Sequence, residues 1–178
     1  MEPIWFKPME RWPQFQKIRE SVRMKGITSL IGVTDTQKCH LTASILYPWD
    51  NTCIIVTYDE MQANRIFDDM KLFCPDNLVL FPSREIMLYH AAALSREVTG
   101  RRLSVLERLA AGEKLVVITS VDALLQPSLP FSVFSDSMLE VVEGEEYSLT
   151  DLAAKAIQLG YDRIDTIEGP GQFCVRGS

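Results

Sequence analysis

Short runs of consecutive apolar residues alternate, over the first 130 positions, with stretches in which apolar residues recur every three or four positions. The runs are typical of strands buried on both faces of a parallel sheet, and the three-to-four spacing is typical of amphipathic helices. Strands are predicted at 27–31, 53–57, 78–81 and 115–119, and helices at 9–25, 41–47, 60–74, 95–111 and 121–125. Strands that alternate with helices predict right-handed βαβ units, and therefore an α/β domain with a mostly parallel sheet.

The pattern changes after residue 130. A strand is predicted at 138–142, a helix capped by Ser148 or Thr150, and a strand pair at 161–167 and 172–175. A helix beside an antiparallel pair predicts a small α+β module. Because this module ends directly after a strand, we expect the chain to be a fragment of a longer protein.

The distribution of charge supports a boundary near residue 130. The net charge is −6, and residues 131–178 hold 9 acidic but only 3 basic side chains, so they account for all of it. An acidic segment argues against sequence-independent DNA binding there, because phosphates need basic partners. It favours a protein partner with a basic surface. We therefore predict one domain at 1–130 and a second at 131–178.

The segment Gly32–Cys39 stands between the first predicted strand and the next helix, where a phosphate-binding loop is expected. In the pattern G-x-x-x-x-G-K-[ST], Gly32 and Lys38 fit, but Gln37 replaces the second glycine and Cys39 replaces the hydroxyl residue. The Cβ of glutamine resists the positive φ that glycine allows. A thiol is also a poor ligand for Mg²⁺. We predict a degenerate, non-functional nucleotide loop, with a functional ATP-binding domain as the alternative because Lys38 is retained.

Several other functions are disfavoured by composition. Four cysteines and two histidines show no metal-binding spacing, which predicts reduced thiols and no metal site. The N-terminus lacks a signal peptide and no apolar run approaches about 20 residues, so a cytoplasmic protein is expected. Arg96, Arg101, Arg102 and Arg108 suggest a nucleic-acid patch, but glutamates are interleaved with them and a solvated helix face is the preferred interpretation.

Five segments match, in their order and spacing, the motifs of one known family. They are Gly32–Cys39; Phe81–Glu85 with Leu88-Tyr89, similar to P-x-x-E-x-x-P-Y; Arg102–Leu109, similar to R-L-x-x-L-x-x-L; Ile118–Gln126, similar to V-x-x-L-x-Q; and Leu159–Asp162 with Gly171–Gly177, similar to G-Y-x…G-x-F-x-x-R-G. The chain thus resembles the N-terminal, UvrB-like region of bacterial transcription-repair coupling factors (Mfd). The chain resembles UvrB itself less well, because UvrB has an intact phosphate loop. Leu88 and His90 depart from the family's proline and acidic residue.

The resemblance implies a fold and a role. Residues 1–130 would form a RecA-like, helicase-like domain without hydrolytic activity, and residues 131–178 the first part of an inserted domain that binds UvrA. The family's UvrA-binding arginine falls on Arg176. ATP, Mg²⁺, DNA and RNA polymerase would be bound by later domains, so no cofactor and no catalytic residue is expected in this chain. The implied function is recruitment of UvrA to lesions where RNA polymerase has stalled; the alternative is the ATP-binding domain of a UvrB-like repair ATPase.

Overall fold

A computed structural model describes residues 3–24, 26–48, 50–74, 76–84, 92–139 and 141–176. Its elements are α1 (Lys7–Glu10), α2 (Pro13–Arg23), α3 (Asp35–Leu46), β1 (Cys53–Thr57), α4 (Glu60–Met70), β2 (Leu78–Phe81), α5 (Ala92–Ala110), β3 (Val116–Ser120), α6 (Val121–Leu125), α7 (Phe131–Asp136), α8 (Leu149–Gln158), β4 (Asp162–Arg163) and β5 (Gln172–Phe173).

The described residues pack as two compact units. The N-terminal unit comprises the chain up to Ser83 together with Ala111–Leu125, and the C-terminal unit comprises Arg84–Ala110 together with the chain from Gln126 onward. Helix α5 therefore groups with the C-terminal elements. The division into domains at 1–130 and 131–178 stays a prediction.

The N-terminal unit is built on a three-stranded sheet in the order β1-β3-β2. Both pairings are parallel, and Val116 of β3 is aligned with Cys53 of β1 and with Leu78 of β2. The central strand β3 is buried along its whole length, as its continuous apolar run predicts. The same prediction was wrong for β1, which lies at the edge of the sheet and leaves Ile54 and Val56 57% and 48% exposed. The predicted α/β fold with a parallel sheet is confirmed.

Helix α4 packs against all three strands of this sheet, and α3 packs against α4. Their side chains and those of the strands form a single core of buried residues: Cys39, Ala43, Ala63, Met70, Cys74, Leu78, Val116 and Ile118. Met70 and Ile118 are fully buried, and full burial of such a side chain stabilises the fold by about 1.5–3 kcal/mol. The helix that follows the predicted phosphate loop is therefore held to the sheet through α4 and their shared core.

The predicted helix caps of Asp59 and Ser148 are confirmed. The Asp59 carboxylate accepts a hydrogen bond from the backbone N–H of Gln62 at 2.7 Å, and the Ser148 hydroxyl accepts one from the backbone N–H of Asp151 at 3.3 Å. Each bond satisfies a donor that the helix leaves unpaired. Helix α8 is followed by Gly160, whose positive φ of 87° ends the helix as predicted.

Two predictions for the first 31 residues were wrong. The helix predicted at 9–25 is divided into α1 and α2, because Pro13 has no N–H and begins a new helix. The strand predicted at 27–31 is absent: the segment is irregular, and Ile27 and Ile31 are 102% and 92% exposed. No described strand pairs with it, and the polar residues Thr28 and Ser29 interrupt its apolar pattern.

The C-terminal predictions also need correction. The described residues of 138–142 form no strand, and the strand pair is reduced to β4 and β5, which run parallel rather than antiparallel. The eight residues 164–171 that separate the two strands are too many for a tight hairpin turn, which would impose antiparallel pairing. Within this connection, the side-chain oxygen of Gln172 accepts hydrogen bonds from the N–H groups of Glu168 and Gly169. Helix α7, with the buried Phe134, was not predicted.

Candidate functional site

The loop at Gly32 begins in the conformation expected of a glycine turn. Gly32 has a φ of 78°, and α3 starts three residues later with Thr34 as its N-cap. The side-chain oxygen of Gln37 accepts a hydrogen bond from the backbone N–H of Thr34 at 3.1 Å, as the third residue of a capping box does. A phosphate-binding loop leaves such N–H groups for its ligand. Gln37, which replaces the second glycine of the motif, instead occupies one of them.

The lysine of the motif is engaged by a neighbouring carboxylate. Lys38 Nζ lies 2.8 Å from Asp35 Oδ1, and both side chains are about half exposed. The hydrogen bond and charge of Lys38 lower the pKa of Asp35. A carboxylate at the first position of a helix is favoured by the helix dipole. Asp35 therefore places a negative charge at the start of α3, where it repels a phosphate.

Cys39 faces the core rather than the loop. Its side chain is 3% exposed and belongs to the core beneath α3 and α4. Burial, and secondarily the charges of Asp69 and Asp35, raise its pKa to about 11. The thiol is therefore protonated at neutral pH. It is unsuited to hold Mg²⁺ where a loop hydroxyl would.

The loop also lacks its usual support from a strand. Phosphate loops follow directly from a strand of the sheet, at the edge where the carboxyl ends of the strands meet. The segment before Gly32 is not a strand in this structure. That Gly32, Gln37, Lys38 and Cys39 form a non-functional loop stays a prediction, since no ligand-binding observation bears on it.

The carboxyl edge of the sheet carries a polar cluster that sequence reasoning missed. Glu60 Oε2 accepts hydrogen bonds from the backbone N–H of Ser83 and from the hydroxyl of Ser120, each at 3.2 Å. Glu60 thus joins the start of α4 to the ends of β2 and β3. These residues are 23 and 60 positions apart from Glu60, and no local motif signals their contact.

Arg176 is exposed and follows β5 by three residues. Its guanidinium Nη2 donates a hydrogen bond to the backbone carbonyl of Asp165 at 3.2 Å. This contact restrains the side chain near the β4–β5 pair. A planar guanidinium at the surface can bind a carboxylate through two parallel hydrogen bonds. Its assignment as a partner-binding residue stays a prediction.

The arginines considered as a nucleic-acid patch have separate roles. Arg101 forms an ion pair with Glu97 at 2.6 Å. Arg102 is buried, and its guanidinium donates hydrogen bonds to Gln126 and Ser128 at 3.4 and 3.1 Å. The side chain of Arg96 lies outside the described residues. Arg101 and Arg102 therefore do not form a common basic surface.

The described residues hold neither a metal-binding cluster nor a membrane-spanning helix. No group of three or more histidine, cysteine, aspartate and glutamate side chains there is arranged to hold a metal ion. In the same part of the chain, no helix combines the length and the apolar character that crossing a membrane requires. The motif residues Glu85, Leu88, Tyr89, His90 and Gly177 lie outside the described residues.

Comparison with known proteins identifies relatives of the chain. No family model matches it. It is 27% identical over 149 residues to the transcription-repair-coupling factor of Bacillus subtilis, a match that covers 83% of this chain and 13% of the relative. It is 24% identical over 163 residues to UvrABC system protein B of Neisseria meningitidis, covering 84% of this chain and 24% of the relative. The chain is homologous to both proteins.

A third relative extends the match along the chain. UvrABC system protein B of Fervidobacterium nodosum is 22% identical over 188 residues, which cover 97% of this chain and 28% of that protein. The resemblance to the UvrB-like region of coupling factors, drawn above from motif order and spacing, is confirmed. The chain spans between 13% and 28% of the length of these relatives.

Proposed function

We propose that this chain is a protein-recruitment module of transcription-coupled DNA repair that binds UvrA and does not hydrolyse ATP. Its homology to a transcription-repair-coupling factor and to UvrABC system protein B supports a role in DNA repair. The observation that carries the recruitment step is Arg176, an exposed guanidinium restrained by the carbonyl of Asp165. It belongs to the motif segment in which the coupling-factor family has its UvrA-binding arginine.

The absence of hydrolysis is supported by the geometry of the loop. Gln37 caps Thr34, Lys38 pairs with Asp35, and Cys39 is buried in the core. The three residues that would bind phosphate and Mg²⁺ are each engaged in stabilising the start of α3. No comparable observation favours the alternative, a working ATP-binding domain. We assign ATP, Mg²⁺, DNA and RNA polymerase to other parts of the longer relatives.

The proposal is tested by UvrA affinity. In titrations of purified UvrA against the whole chain, Arg176→Ala should weaken binding about tenfold or more, because loss of a charged hydrogen-bonding anchor costs about 1.5–3 kcal/mol. Arg163→Ala is the matched control, since Arg163 is an exposed arginine on β4, and its removal changes the net charge equally. Equal affinities for the wild-type chain and Arg176→Ala would reject the assignment. Equal weakening by both variants would indicate a general effect of charge.

A further inference from the structure

The carbonyl that holds Arg176 belongs to the connection between β4 and β5. Arg176 Nη2 donates a hydrogen bond to the backbone carbonyl of Asp165 at 3.2 Å, and Asp165 is the second of the eight residues 164–171 that join the two strands. A long arginine side chain samples many rotamers unless a contact selects among them. The position of the Asp165 carbonyl therefore influences the direction in which the guanidinium points.

Strand pairing holds the two ends of this connection. Strands β4 and β5 pair in parallel over two residues each. The backbone N–H of Ile164 donates a hydrogen bond to the carbonyl of Phe173 at 3.0 Å, and the backbone N–H of Asp162 donates one to the carbonyl of Gly171 at 2.9 Å. These two bonds fix the first and the last residue of the connection, and they leave its middle to other contacts.

The side chain of Gln172 holds the middle of the connection. Its oxygen Oε1 accepts hydrogen bonds from two consecutive backbone N–H groups, that of Glu168 at 2.9 Å and that of Gly169 at 3.1 Å. Gln172 is half-buried and is the first residue of β5, so its side chain extends from a paired strand. A side-chain acceptor that binds two loop donors restricts the path of the backbone that follows Asp165.

We infer that Gln172 is a positioning residue for Arg176. It holds the loop that presents the Asp165 carbonyl, and this carbonyl orients the guanidinium toward a carboxylate of the bound protein. A guanidinium has five N–H donors, so one bond to Asp165 leaves others for two parallel hydrogen bonds to that carboxylate. Binding then has less side-chain freedom to remove, which strengthens it. The inference rests on the proposed function, because it concerns the orientation of the same arginine.

The test uses titrations of purified UvrA against the whole chain. Gln172→Met keeps the length of the side chain but removes the acceptor, and it should weaken binding about three- to tenfold, as expected when one flexible side chain must be ordered on binding. Gln172→Glu keeps an acceptor oxygen and should retain most of the affinity. Gln158→Met is the matched control, because Gln158 is an exposed glutamine of α8 in the same unit, and its affinity should equal that of the wild type. Equal affinities of Gln172→Met and Gln172→Glu would overturn the inference.

A double-mutant cycle separates an effect through Arg176 from an independent contact or a general loss of structure. In the Arg176→Ala background, Gln172→Met should have no further effect, because the side chain that Gln172 positions is gone. The same loss of affinity in both backgrounds would overturn the inference. If Arg176→Ala weakens binding and Gln172→Met does not, the inference fails and recruitment stands. If Arg176→Ala leaves the affinity unchanged, the proposed function itself fails.

Hydrogen exchange tests the loop contacts without a partner. In NMR-detected exchange of the whole chain, the amides of Glu168 and Gly169 should exchange faster in Gln172→Met than in the wild type, because they lose their acceptor. Equal exchange rates in the two proteins would mean that Gln172 does not hold the loop, which overturns the inference. If Gln172→Met does not fold by circular dichroism, Gln172→Asn, whose side-chain oxygen lies one methylene short of the loop, replaces it.

Discussion

Restoring a hydroxyl residue at position 39 should destabilise the protein. Cys39 is 3% exposed and packs among apolar side chains of α3, α4 and the sheet. Burying a hydroxyl without a full partner costs about 1–3 kcal/mol in proteins. A threonine in a helix can bond the carbonyl four residues earlier, which sets the lower end of that range. Cys39→Thr should therefore lower the free energy of unfolding, although it returns the loop to the phosphate-binding motif.

The matched variant is Cys39→Val. Valine and threonine have nearly the same shape and similar helix propensity, so the difference between the two variants isolates the hydroxyl. At about 2–4 °C per kcal/mol for a chain of this size, the threonine variant should melt about 2–12 °C below the valine variant. Differential scanning calorimetry measures both. Equal melting temperatures, or a more stable threonine variant, would refute the assignment of this side chain to the core.

Two further predictions concern ionisation. Lys38→Met should raise the pKa of Asp35 toward its ordinary value, because the hydrogen bond and charge of Lys38 lower it. Carboxyl NMR titration measures this pKa, and an unchanged value would show that the ion pair does not form. Because the folded pKa is lowered, the pair stabilises the protein above the unfolded pKa, and this stability is lost as pH falls through the folded pKa. Burial raises the pKa of Cys39 and of Cys74 to about 11, so the folded state binds more protons than the unfolded state between about pH 9 and 11 and should lose stability across that window. Mass spectrometry after thiol labelling at pH 7.5 should find both cysteines unmodified in the folded chain, and rapid labelling of either would contradict their burial.

The central sheet was predictable because its signal is local. The runs at 53–57 and 78–81 match β1 and β2 residue for residue, and the run at 115–119 differs from β3 by one position. Consecutive apolar residues bounded by turn residues carry this information in a few positions. The segment 27–31 carries a weaker local signal, because Thr28 and Ser29 interrupt its apolar residues, and no described strand pairs with it.

The loop was partly predictable for the same reason. The positive φ of Gly32 and the departures at Gln37 and Cys39 follow from the motif, and the spacing of Asp35 and Lys38 is that of an ion pair on a helix. The inward direction of Cys39 depends on how α3 packs on α4. The contact of Glu60 with Ser120 depends on the arrangement of the sheet. Neither is visible in a local pattern.

We propose that the segment Gly32–Cys39 stabilises the fold and that the chain binds a protein rather than a nucleotide. Calorimetric titration of the whole chain with ATP and Mg²⁺ tests it most directly, with Lys38→Met as the reference. We expect no binding heat for either protein at millimolar ATP. Micromolar binding by the wild-type chain that is lost in Lys38→Met would contradict it, and would establish Lys38 as a phosphate ligand.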